Sequence, residues 1–149
     1  METMKLRRFM RTNRREQTLF AAGLLAMAAA RIALLMVPLR RILEATNAMN
    51  RRWPRHTSSA MGVRRAALRI SQAAAYCPVP TTCLSRTLAA HFLMSRLGFD
   101  SMPRIGVSKA DGAFGAHAWL ECQDGIVIGD KSPDGIQYQP VPSLERFFT

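Results

Sequence analysis

The sequence predicts an α+β chain: a basic, helical first half, one helix opened by a cysteine, and then a small antiparallel sheet. Three observations carry this. Apolar residues recur with a helical period from about Thr18 to Leu43 and again from Ala60 to Tyr76. Short β-type runs separated by turn residues occupy positions 105–130. The charge is split along the same line: residues 1–80 hold 15 of the 21 Lys/Arg and 3 of the 10 Asp/Glu, a net +12, which leaves −1 for residues 81–149. A chain of 149 residues is long enough to bury a real core. Its expected division is a basic helical region and linker over 1–59, for docking and packing, and a core over 60–149.

The opening residues are basic (Lys5, Arg7, Arg8, Arg11, Arg14, Arg15) and precede an apolar run from Leu19 to Ala30. This imitates a signal peptide, and Arg14-Arg15 imitates a twin-arginine signal. The helical period nevertheless continues past the apparent cleavage point, through Leu25, Ala28, Ile32, Leu35, Met36, Leu39, Ile42 and Leu43. We therefore expect one amphipathic helix packed by that face, kinked or split at Pro38. Leu19 to Leu39 is also long enough to span a bilayer. Arg31 near its middle would cost about 2.5–3.5 kcal/mol there, so membrane contact is not favoured.

Asn47 to Ser59 lacks an apolar period, contains Pro54 and reads as a linker, with His56 a solvated residue within it. In the next helix Val63, Ala67, Ile70 and Ala74 share one face, while Arg65 and Arg69 form a wet face or a partner patch. Tyr76 to Pro80 is extended, because residues before proline leave the helical region. Thr81 or Thr82 then caps a helix with Cys83 in its first turn, and Gly98 suits the left-handed residue past its end. Ile105 and Val107 begin a strand, Lys109 to Gly112 is a turn, and Gly115 to Cys122 is a second strand. A tight hairpin at 123–125 leads to a third strand ending at Asp130. Ile136 to Val141 reads as an edge strand and Pro142 to Phe148 as a closing helical turn.

Cys77, Cys83 and Cys122 are too few for a disulfide scaffold and indicate a reducing, cytoplasmic setting. No metal-ligand spacing and no phosphate loop occur, so no metal or cofactor is expected. Of the three thiols, only Cys83 stands at a helix N-terminus, where free N–H groups and the helix dipole favour thiolate. The plain alternative is a small buried residue. His117 and Asp130 tip the balance. Taking Asp124-Gly125 as the hairpin loop sets Asp130 opposite Trp119 and diagonal to His117, on one face of the sheet. Diagonal neighbours lie about 7–8 Å apart, within reach of an imidazole–carboxylate hydrogen bond. Cys83, His117 and Asp130 thus make a nucleophile, base and orienter. Trp119 either walls that site or packs the core. Glu121 is too far up the strand to bond His117, Asp124 and Asp134 look like turn residues, and His91 reads as a packed or boundary histidine.

Cys83-Leu-Ser-Arg-Thr-Leu-Ala, Gly98-Phe99, Ile105-Gly106-Val107, Ala116-His117-Ala118-Trp119-Leu120-Glu121 and Gly129-Asp130 together resemble the transglutaminase-like maturation proteases of lasso-peptide biosynthesis, the B proteins. The likeness covers residues 60–149. It implies a papain/transglutaminase-like fold with the nucleophile-bearing helix on a small antiparallel sheet. It also implies cleavage of a precursor's leader peptide by Cys83, His117 and Asp130, before a macrolactam cyclase closes the ring. Helices rather than a strand-rich recognition domain precede Cys83, so the chain resembles the split form. That form's expected partners are the precursor and a separate leader-binding protein, not nucleic acid. The competing reading is a basic helical adaptor for nucleic acid or membrane, without catalysis.

Overall fold

The computed structural model describes residues 13–52, 60–110, 112–122, 125–129 and 135–142. His56, Asp124, Asp130, Asp134 and all but the first residue of the expected closing turn lie outside them. Among the described residues four helices and four strands follow in order: α1 (Arg14–Met36), α2 (Leu39–Asn50), α3 (Ala60–Ala75), α4 (Cys83–Arg96), β1 (Ser101–Ala110), β2 (Ala113–Cys122), β3 (Gly125–Ile128) and β4 (Gln139–Pro140). The α+β class holds. The strands form one antiparallel sheet in the order β3-β2-β1-β4. Helices α3 and α4 lie on that sheet, and α1 packs outside both of them.

Pro38 splits the first helical stretch in two. Val37 is extended, as a residue before proline must be, and Pro38 stands just ahead of α2 as its N-cap. Helix α1 starts at Arg14, ahead of the expected Thr18, and α2 runs into the expected linker as far as Asn50. The last turn of α2 is held by its own end residue: Asn50 Nδ2 lies 2.8 Å from His91 Nε2, and His91 Nδ1 lies 3.0 Å from Ser101 Oγ. His91 is the packed histidine expected, joining α2, α4 and β1.

The packed face of α1 differs from the expected one. Leu25, Ile32, Leu35 and Met36 are exposed, whereas Gly23 and Met27 are buried and Leu19, Ala22, Ala26 and Ala30 pack against the core. The reason is apolarity all round the helix, which leaves close approach to choose the side. A Cβ on Gly23 would stand 2.9 Å from the Ala73 Cβ of α3. We expect Gly23→Ala to cost about 1–3 kcal/mol by forcing these helices apart. Adding Ala73→Gly should recover part of it, as read from thermal melting of the two variants. Arg69 is likewise not on a wet face: its Nη2 meets Glu16 Oε2 at 2.6 Å and ties α3 to α1.

The core unites Met27 with Val63, Ala67 and Ile70 of α3, Ala90, Leu93 and Met94 of α4, and Leu120 and Ile128 of the sheet. Cys122 packs at its edge, on the face shared by Ala118 and Leu120. Strand β4 pairs only with Gly106 and Val107, so Pro103 falls where β1 is an edge and needs no second ladder. The expected edge strand over 136–141 thus shrinks to two residues.

Candidate active site

Helix α4 begins at Cys83, as its sequence markers imply. Thr82 is extended, its hydroxyl accepts from the Ser85 N–H at 3.2 Å, and the Ser85 hydroxyl accepts from the Thr82 N–H at 2.9 Å. This reciprocal cap fixes where the helix starts and therefore where the thiol stands. Gly98, with φ of 82°, takes the left-handed position beyond the other end. The N–H groups of Cys83 and Leu84 have no acceptor within the helix, as in any first turn. Thr82→Ala should cost about 1 kcal/mol, measurable by denaturant unfolding, and should loosen the cysteine's turn.

His117 comes from the middle of β2, opposite Gly106 of β1. Its ring stacks on Trp119 with centroids 6.2 Å apart and meets the Tyr138 ring at 5.3 Å. Trp119 is fully buried, so it both fills the core and walls the imidazole. Its indole N–H donates to Glu121 Oε1 at 2.9 Å, and the other carboxylate oxygen of Glu121 accepts from Arg104 Nε at 2.9 Å. Glu121 therefore holds the tryptophan. Glycines make room for the indole: a Cβ on Gly106 would come within 2.9 Å of the ring, and one on Gly129 within 3.2 Å of the Trp119 Cβ.

Cys83 and His117 line a single cavity of about 270 Å³, together with Ser71, Arg86, Thr87 and Gly129. The structure thus brings two of the three expected catalytic residues to one place. The third, Asp130, follows Gly129 in the chain but lies outside the described residues. The register expected for its strand needs correction. Cys122 pairs with Gly125 and Glu121 with Ile126, so positions 123–124 rather than 124–125 form the loop. An irregularity between Leu120 and Glu121 then shifts the pairing one residue back toward the expected register, to Leu120 with Ile128. The expected pairing of Trp119 with Asp130 does not follow from this register.

Sequence reasoning missed Tyr138, which arrives from the loop before β4, and Arg86, whose Nε donates to Thr81 Oγ1 at 2.9 Å on the cavity's rim. Arg86 could have been found, since it lies one helical turn from Cys83 on the same face. Tyr138 carried no such local signal. Among the described residues no cluster of His, Cys, Asp or Glu could hold a metal ion, and the three cysteines are unpaired with one another.

A thiol at a helix start, lining the same cavity as a partly buried imidazole and next to backbone N–H groups that have no acceptor within the helix, is a layout suited to acyl transfer through a thioester. Comparison with known proteins agrees with this layout. The model of one family, described as the transglutaminase-like superfamily, matches residues 24–143. The match begins inside α1 and takes in both cavity residues. No curated protein and no solved structure gives a significant match.

Proposed function

Because the chain belongs to the transglutaminase-like superfamily, we propose that it is a cysteine peptidase that removes the leader from a lasso-peptide precursor. The observation that carries the reading is the shared cavity of Cys83 and His117. His117 takes the thiol proton and the sulfur attacks the scissile carbonyl. The imidazolium then protonates the departing amine, and water, activated by the same ring, cleaves the thioester. Asp130 is assigned to orient the imidazole, and the N–H of Cys83 to hold the oxyanion. The freed amine is the group a macrolactam cyclase needs.

The finer assignment rests on the Ala116-His117-Ala118-Trp119 block and the Cys83 segment, which resemble the B proteins. The described residues ahead of Cys83 build helices, and we assign leader recognition to a separate protein, the split arrangement. The test is incubation with a precursor peptide, with and without that recognition protein, followed by mass spectrometry. Release of leader and core supports the reading, and intact precursor in both arms refutes it. Adding a primary amine separates hydrolysis from acyl transfer: a stable amide adduct in place of the free acid would identify a transferase.

A further inference from the structure

Helix α1 turns a line of side chains to solvent that nothing described in the fold covers. Thr18, Ala21, Leu25, Ala29, Ile32 and Met36 are all exposed and follow one another at helical spacing. Leu25, Ile32, Leu35 and Met36 are 73%, 51%, 71% and 79% exposed, unusual values for aliphatic residues in a row. The helix is long and apolar enough to cross a bilayer, yet Gly23 and Met27 are locked against the protein and Arg31 interrupts its middle.

We propose that this face of α1 seats the protein on an anionic lipid bilayer, as an interfacial helix that stays packed on α3 and α4. The occupant is argued from charge. Residues 14–52 hold seven arginines and two glutamates. Both glutamates are paired with arginine, Glu16 with Arg69 and Glu44 with Arg40. The apolar line carries no ionisable group between Arg15 and Arg31. Exposed cations stand near both ends: Arg14 and Arg15 open α1, and Arg41 lies in the first turn of α2, just beyond Met36. An apolar line about 27 Å long, bordered over its first half by a groove against Phe92 and Leu97 of α4, offers a protein partner few polar atoms to set a register. It does suit acyl chains flanked by phosphate headgroups.

Flotation of the full-length protein with vesicles tests this, using phosphatidylcholine alone and phosphatidylcholine mixed with phosphatidylglycerol. Binding should appear with the mixed vesicles, weaken at least about tenfold without the anionic lipid, and fall as salt rises. Leu35→Glu with Met36→Glu should abolish it while leaving the far-ultraviolet circular dichroism and melting unchanged, because both side chains are already in water. Leu68→Glu, at an exposed position of α3, should bind as the parent does. Failure of the parent protein to float with anionic vesicles overturns the proposal. So does undiminished binding by the double variant, or a parent dimer that the double variant dissolves without any vesicle binding.

Discussion

Cys83→Ala is expected to end the proposed leader release, with product formation falling by about a thousandfold or more in single-turnover assays. The residue stands at a fixed helix start and contributes little to the core, so the variant should melt as the parent does. His117→Ala should lose a factor of roughly 10²–10⁴, the range removed with a general base. The informative measurement is the double variant. Groups that act as one unit are grossly non-additive, so Cys83→Ala combined with His117→Ala should be no slower than the worse single variant. If Cys83→Ala cleaves at the parental rate, the assigned nucleophile is wrong.

Trp119→Ala carries the largest expected stability effect. The indole is completely buried, stacks on His117, and spends its N–H on Glu121. Emptying such a site costs about 3–5 kcal/mol, a large share of the roughly 5–15 kcal/mol that holds a domain together. Chemical denaturation should show the midpoint falling accordingly. Trp119→Phe keeps most of the ring and loses the donor, so about 1 kcal/mol is expected. Leader cleavage should suffer in the alanine variant under conditions where it remains folded, because His117 loses one of the two rings that hold its plane.

The parts of this protein that could be read from sequence are those whose cause is local. Thr82, Cys83 and Gly98 mark both ends of α4 by capping chemistry alone. Pro38 breaks the first helix for the same kind of reason. The face of α1 was not legible, because a helix apolar on all sides has no preferred inside until a neighbour is known. Gly23 against Ala73 makes that choice, fifty residues apart in the chain. The β2–β3 register was missed because the turn comes one position earlier than expected, and the irregularity beside Leu120 takes back only one of the two residues of offset. Any slip of one position turns a strand's side chains to the opposite face, which is why Asp130 was harder to place than Cys83 or His117. Tyr138 was invisible for a third reason: it sits in a non-repetitive segment and reaches His117 only through the pairing of β4 with β1.

The smallness of the Cys83–His117 cavity bears on how the proposed peptidase would choose its substrate. A volume of about 270 Å³ holds the groups flanking one peptide bond, and Arg86 is the one arginine or lysine among the described residues lining it. So small a contact area would discriminate weakly between peptides and bind each of them weakly. Turnover on a free peptide would then be limited by encounter. A protein that tethers the leader would raise the local concentration of the scissile bond into the millimolar range, converting a poor bimolecular reaction into an intramolecular one. Selectivity would then belong to the tether, and the cavity could remain generic.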